Sequence, residues 1–527
     1  MMTTILLLQL TVLSLTASEW TVLEENTDSM GAMDSSQPVS VGSAAPTTLP
    51  LPRGPTPVEL PRGPALIAEE KQAPPPAPPP PPPPPFPRHP KRDYWPTDGW
   101  KHAEPAKHGF NSTKLTDAVN FVRDFNMGGG TKLANGSWAI TRHADALMVV
   151  RGGYVVHEEY WGTTTNTTLH DIESGGKSVA SILLAHAMHH PHLSNSLSLD
   201  TEISQYYPQL KPLNAEAAAT PLLVAHCVHM AAGANVTPWQ AHSPTTPSCF
   251  EWNEQFRRGP PGQPDFVAEH GLSLKPGSQF VYSFSNTGLM AGVIKKATNM
   301  SYADYGARTV FPKLGIREGT WRWLGDREGH TEGDGDSYHT AQNYARLGYL
   351  MLNGGEWDGE QLLDPSYVAG AVGGLQTPAE WSPCSLYSHF FWRKPLPGVP
   401  KDAFYAWGGG GQFAVVVPSL DLLVITLYGG ILSRWDPPAD IADFNGTDHF
   451  PTPTDTISKT RDGDGLCAGS RGWNFTAVEP QPPVWITPSG PASEVPGGTA
   501  CSNGDTRGDM LSGMMGRIVA AIDENGH

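Results

Sequence analysis

Residues 173–178 read ESGGKS, and the chemistry assigned to them divides two folds. Gly176-Lys177-Ser178 matches the end of a phosphate-binding loop, G-x-x-x-x-G-K-[ST], whose first glycine permits the tight turn that aims backbone N–H groups at phosphate oxygens. That glycine would have to stand at position 171, where the chain carries Asp171, and a carboxylate there repels phosphate. The competing reading is Ser174-x-x-Lys177, a nucleophile and its activating partner. Residues three apart on a helix share a face, with Cβ atoms roughly 5–6 Å apart, so an amine at 177 reaches a hydroxyl at 174. A place at a helix start adds backbone donors that lack helical partners and can stabilise an oxyanion. For the base role Lys177 must be a neutral amine.

Two further stretches supply partners. PGSQFVYSFSNTG (276–288) reads as a Pro-Gly turn, a strand carrying Tyr282, and a helix opened by Asn286 and Gly288. AWGGGGQFAVVVP (406–418) reads as a strand lined with glycine, which lets a substrate approach the backbone closely. With S-x-x-K, these sets resemble the three boxes of the serine β-lactamase and penicillin-binding-protein superfamily, in its class C-like branch of esterases, D-amino-acid peptidases and 6-aminohexanoate-oligomer hydrolases. The resemblance covers residues 93–433 and the last helix. Its other landmarks, in the family's order, include VVRGGYVVHEEYW before the serine, PLLVAHCVHMAAG (221–233), VFPKLGI (310–316) and NYARLGYLMLNGGEWDGEQLL (343–363).

The resemblance implies Ser174 as nucleophile, Lys177 as its activator, and Tyr282 as general base and proton shuttle to the leaving group. It also implies Trp407-Gly408-Gly409 as the third box in a W-x-G form and Gly410 as donor of the second oxyanion N–H. Trp407, Gly409 and Asn286 would then face the substrate. A tyrosine is ordinarily protonated at neutral pH, so Lys177 has to share or stabilise its charge. Two features depart from the pattern. Glycine at 175 and 176 costs up to about 1 kcal/mol each against alanine inside a helix. The second box has no strict Y-x-N: Phe284-Ser285-Asn286 has the spacing with the wrong ring, and Tyr282 aligns only through PG-x-x-F-x-Y. These departures keep open an alternative, a catalytically inactive binding or scaffolding protein on the same fold.

The expected fold is α+β, a β-lactamase-like antiparallel sheet flanked by helices plus a mainly helical subdomain. ALMVVRGGYVVHEEYW (146–161) reads as two strands around a Gly-Gly turn, and QFAVVVPS and DLLVITLYGG form another pair. LTDAVNFVRDF (115–125), SVASILLAHAMHH (178–190), TAQNYARLGYLMLNGG (340–355) and the terminal MLSGMMGRIVAAI have helical spacing. Strands from both ends are needed to complete one sheet, which argues for one catalytic unit.

Around that unit, residues 1–18 read as a signal peptide: an apolar run from Ile5 to Leu15 followed by small residues, too short to span a bilayer. Residues 19–92 form a Pro-rich linker that cannot bury enough apolar area to order itself. A Pro/Gly-rich insertion is expected at 434–508. Seven N-x-[ST] sequons, at Asn111, Asn135, Asn166, Asn235, Asn299, Asn445 and Asn474, fit a glycosylated product that is secreted or lumenal. The five cysteines suggest, from proximity alone, Cys227–Cys249 and Cys467–Cys501 bridges, with five free thiols as the alternative. A formal charge of -17 leaves no basic face for nucleic acid. His186, His189, His190 and His192 are read as a helix end rather than a zinc site, and Trp321, Trp323 and the acidic run at 326–336 as a solvated loop, of a kind that the resemblance also allows to border the substrate pocket. No metal or other cofactor is expected, and the partner is a small-molecule or peptide-like substrate.

Overall fold

The computed structural model describes residues 86–522 apart from 88, 126–128, 133–137, 141–142, 194–196, 236–261, 327, 377–384, 430–484 and 487–505. The helices that matter for the site are α1 (Ser112–Asp124), α2 (Gly176–His189), α3 (Phe284–Thr298), α4 (Ala341–Leu352) and α5 (Thr506–Ala520). The strands are β1 (Ala144–Arg151), β2 (Tyr154–Tyr160), β3 (His170–Asp171), β4 (Trp321–Trp323), β5 (Ser337–His339), β6 (Gly374–Gln376), β7 (Leu386–Ser388), β8 (Phe391–Arg393), β9 (Phe404–Gly408), β10 (Gln412–Val417), β11 (Leu422–Tyr428) and β12 (Trp485–Ile486).

Nine strands form one antiparallel sheet in the order β12-β6-β7-β8-β9-β10-β11-β1-β2. The early hairpin β1–β2 therefore docks on the late strand β11, with Val424 opposite Val149 and Thr426 opposite Leu147. The Gly152-Gly153 turn of that hairpin takes positive φ at both positions, which two-residue hairpin turns favour. Every residue of β11 is buried, as expected for a strand covered on both faces. Leu423 meets Gly348 of α4, while the Tyr428 hydroxyl donates to Val122 O of α1 at 2.6 Å. Positions five apart on a strand point to opposite faces, so helices cover both sides of the sheet.

The α+β architecture is the one read from the sequence, with a sheet, flanking helices and a helical region between β2 and β6. The four helical stretches proposed earlier are α1, α2, α4 and α5. Asn111 caps α1 by accepting from Lys114 N, and Thr340 caps α4 by accepting from Asn343 N. A second small sheet, β3-β5-β4, leads into the Ser174 segment.

Several expectations change. The stretch read as a strand before Tyr282 is irregular; it is held by Val281 N donating to Met230 O at 2.7 Å. The end of the segment read as linker already packs on the body. Arg92 forms a bidentate pair with Asp421 at 2.5 and 2.6 Å and donates to Asn353 Oδ1, and His89 Nε2 lies 2.9 Å from Leu352 O. Cys227 is a free, buried thiol, so the Cys227–Cys249 bridge is not formed. Cys249, Cys384, Cys467 and Cys501 lie outside the described residues, as do the N-terminal segment and nearly all of the 434–508 insertion. Of the described sequon asparagines, Asn166, Asn235 and Asn299 are exposed and Asn111 is half-buried. No helix among the described residues is long and apolar enough to cross a membrane.

Candidate active site

The turn that carries Ser174 is built by its neighbours. β3 pairs with β5, and Ile172 N donates to Ser337 O at 2.9 Å. Asp171, the residue that spoils the phosphate loop, accepts from Glu173 N through Oδ1 at 2.7 Å. Glu173 then takes a left-handed φ of 53°, the chain makes a 3-10 turn over Glu173–Gly175, and α2 begins at Gly176. Ser174 therefore stands part-exposed in the turn ahead of the helix, and Lys177 faces it from the first helical turn. Helix α2 is buried nearly all round, which fits its apolar composition and its weak amphipathic pattern.

Lys177 is 1% exposed. Its Nζ donates to Ser174 Oγ at 3.1 Å and to Asp334 O. The same Nζ lies 5.0 Å from the ring centroid of Tyr282 and 4.9 Å from that of Phe284. Tyr282 and Phe284 thus both close on the lysine. The two possible alignments of the second box end at one place, and only Tyr282 brings a hydroxyl.

Asn286 has a different surrounding from the one anticipated. It is 2% exposed; its Oδ1 accepts from Ala232 N at 3.0 Å, and its Nδ2 donates to Val281 O and Ser283 O at 3.3 and 3.2 Å. Both amide hydrogens are committed to backbone, so the residue ties the 230–232 loop to the segment carrying Tyr282. That is a positioning task rather than a substrate contact.

The four glycines of the third box divide by conformation. Gly408 ends β9, Gly409–Gly411 make the hairpin turn, and Gly410 and Gly411 take φ of 83° and 104°. A side chain at Gly408 would collide with Ile172 O, so glycine is required where β9 passes under the Ser174 turn. Gln412 Nε2 donates to Gly409 O at 3.2 Å, and Thr426 Oγ1 donates to Gly411 O at 2.8 Å, which fixes the turn's carbonyls and hence the direction of its N–H groups. Trp407 is part-exposed and stacks on Phe413, with Trp392 at 5.3 Å and Tyr282 a further 5.6 Å on from Trp392. An aromatic wall therefore runs from Lys177 to the glycine turn. The Trp407 Nε1–H is buried without an acceptor among the described residues.

The Gly175-Gly176 pair has a packing reason. A methyl group on Gly175 would lie 2.6 Å from the Tyr344 hydroxyl, and one on Gly176 would lie 3.2–3.3 Å from Gly335 and Ser337. The loop that presses on Gly176 is the acidic run, which is not a solvated loop. Trp321 and Trp323 are buried in β4, and Asp326, Glu332, Asp334 and Asp336 are all buried. The loop folds back because Trp323 Nε1 donates to Glu332 O and Gly335 O, and Asp326 accepts from His330 N and Gln263 N. The Asp334 carbonyl reaches Lys177 from 157 residues away in sequence, a separation at which no local pattern signals contact.

In the histidine-rich end of α2, His186 Nδ1 lies 2.8 Å from the Tyr305 hydroxyl, and burial pushes its pKa down to about 4. Among the described residues, no group of three or more His, Cys, Asp or Glu side chains is placed to hold a metal ion.

A family model described as Beta-lactamase matches residues 133–438. No curated protein matches the chain. Among solved structures, EstCE1, a hydrolase with promiscuous acyltransferase activity, is 16% identical; the match covers 61% of this chain and 92% of that one, with a TM-score of 0.45. The octameric penicillin-binding protein homologue from Pyrococcus abyssi is 16% identical over 60% of this chain and 76% of its own, at 0.41. A penicillin-binding protein homologue from Caulobacter crescentus is also 16% identical, over 60% of this chain and 92% of its own, at 0.42.

Proposed function

Because the chain belongs to the Beta-lactamase family, we propose that it is a serine hydrolase of esters or amides that works through an acyl-enzyme on Ser174. The observation that carries this reading is the 3.1 Å hydrogen bond from the buried Lys177 Nζ to Ser174 Oγ. Ser174 Oγ attacks the scissile carbonyl carbon, and its proton passes to Lys177 and, through Tyr282, to the departing alcohol or amine. The carbonyl oxygen, negative in the tetrahedral intermediate, rests on the N–H groups of Ser174 and Gly410. Water then adds to the acyl carbon, its proton taken by the same pair, and release of the carboxylic acid restores Ser174.

The reading extends to a secreted, glycosylated enzyme, with residues 1–18 as signal peptide and the Pro-rich segment from 19 to the docked residues His89 and Arg92 as an extended tether. The apolar N-terminal run and the exposed sequon asparagines support this part. The test is covalent labelling with a fluorophosphonate, read by intact mass. Wild-type protein should gain one adduct and Ser174→Ala none; equal labelling of both would remove Ser174 from the nucleophile role, and no labelling of the wild type would leave the inactive scaffold as the better account.

A further inference from the structure

The chain enters the Ser174 turn through a buried histidine that the proposed reaction does not use. His170, at the start of β3, is 0% exposed. Its Nε2 lies 3.0 Å from Asp145 Oδ2, across on β1 of the large sheet, and its Nδ1 lies 2.8 Å from the carbonyl oxygen of Asp171. Asp145 is buried as well, and its Oδ1 accepts from Thr164 Oγ1 at 3.2 Å. A carbonyl oxygen only accepts, so Nδ1 carries a hydrogen and donates to Asp171 O. A proton between Nε2 and the carboxylate completes the pair whichever of the two holds it, and the ring is then fixed at both ends. A histidine oriented by a buried carboxylate is the arrangement that serves a hydroxyl nucleophile in a catalytic triad. Here the far nitrogen holds backbone instead.

That backbone is the support of Ser174. After His170 takes the Asp171 carbonyl, Ile172 N donates to Ser337 O at 2.9 Å, Glu173 N to Asp171 Oδ1 at 2.7 Å, and Gly175 N to Ile172 O at 2.9 Å. Between them these bonds hold Glu173 at a φ of 53°, a left-handed conformation that side-chain-bearing residues rarely adopt. Such a turn persists because its surroundings over-determine it, not through local preference. The proposed reaction asks two things of the turn: Ser174 Oγ within hydrogen-bond distance of Lys177 Nζ, and Ser174 N–H aimed at the oxyanion. Rotation of the Asp171 peptide moves both together. Releasing its carbonyl therefore removes transition-state stabilisation while leaving ground-state binding nearly unchanged.

We propose that His170 is the positioning residue of the nucleophile's turn, acting through the Asp171 carbonyl with Asp145 as its anchor on β1. This inference rests on Ser174 being the nucleophile. Two substitutions separate the ring's two bonds. In His170→Asn the amide nitrogen stands where Nδ1 stands, keeping the bond to Asp171 O and releasing Asp145. In His170→Gln it reaches toward Asp145 and releases Asp171 O. Full-chain variants and wild type are compared by thermal melting and by fluorophosphonate labelling over a range of probe concentrations, which separates the maximal labelling rate, kinact, from the half-saturating concentration, KI. His170→Gln should lose about 100-fold in kinact with KI of the same order. His170→Asn should keep kinact within about tenfold of the wild type. It should nevertheless melt lower than His170→Gln, because the Asp145 carboxylate stays buried without the ring's proton. Should it fail to fold, Asp145→Asn with His170→Asn removes the buried charge and keeps the bond to Asp171 O. A purely structural role would rank labelling rate by melting temperature; the positioning role reverses that rank, the more stable variant being the slower. Labelling rates that follow the melting temperatures, or a kinact equal in the two variants, overturn the inference and leave the acyl-enzyme reading standing. A wild type that fluorophosphonate does not label overturns both.

Discussion

Gly175 and Tyr344 meet so closely that a single methyl group added to the glycine would reach within 2.6 Å of the phenol oxygen. Tyr344 is fully buried and projects from α4, the helix laid across β10, β11 and β1. The nucleophile's turn is therefore seated directly on a helix that also forms the sheet's cover. The glycine that looks like a weak point in the sequence is the point of contact.

Gly175 has ordinary helical dihedrals, so on propensity alone Gly175→Ala would stabilise by up to about 1 kcal/mol. The Tyr344 contact should reverse that sign and make the substitution destabilising by about 1–3 kcal/mol. Gly175→Ala with Tyr344→Phe, which removes the hydroxyl, should recover much of the loss. Urea unfolding of the two variants and the wild type checks this; a neutral Gly175→Ala would show that the turn has room to spare.

The two rings equidistant from Lys177 should not be equivalent. Tyr282→Phe keeps the ring and removes the proton carrier, and kcat/KM for a p-nitrophenyl ester should fall about 100- to 10,000-fold. Phe284→Leu should leave it within the same order of magnitude. If the Phe284 substitution is the more damaging, the second box is aligned through Phe284-Ser285-Asn286 instead, and the general base must be sought elsewhere.

Arg92 and Asp421 are 7% and 19% exposed at their side chains, between the regimes of a surface and a buried ion pair. Removing one partner, by Arg92→Ala or by starting the chain at Asp93, should lower stability by about 2 kcal/mol. A chain starting at Phe86 should keep it. Thermal melts of the two truncations decide whether the body begins before residue 93.

His229 is buried, and desolvation pushes its pKa down from 6.5 to about 4. The unfolded chain binds the proton below pH 6.5 and the folded chain does not, so this contribution is complete above pH 6.5. It is lost as pH falls toward 4, at about 1.4 kcal/mol per pH unit. Denaturation at pH 7 and pH 4.5 should show a smaller acid loss in His229→Gln than in the wild type. An unchanged difference would place the acid sensitivity on other groups.

What the sequence determined by itself was local chemistry and local period. Asp171 excluded the phosphate loop, a three-residue spacing joined Ser174 to Lys177, and apolar runs broken by short turns in 146–160 and 412–428 marked the strands that pair across the sheet. Each of those readings depends on residues within one helical turn or one hairpin. Contacts between distant segments were decided only by the tertiary structure. The acidic run reads as solvated from its charges, but Trp323 is buried, and its bonds fold the loop against Gly176 and bring the Asp334 carbonyl to Lys177. Asn286 looked like a substrate contact until the 230–232 loop arrived to take up its amide. Cys227 was paired by proximity along the chain, whereas its burial is set by packing. The Gly175-Gly176 pair could not be understood from within ESGGKS at all, because what excludes a side chain there comes from α4 and from the loop before β5. A residue's volume limit is imposed by its neighbours in space, and a sequence records only its neighbours along the chain.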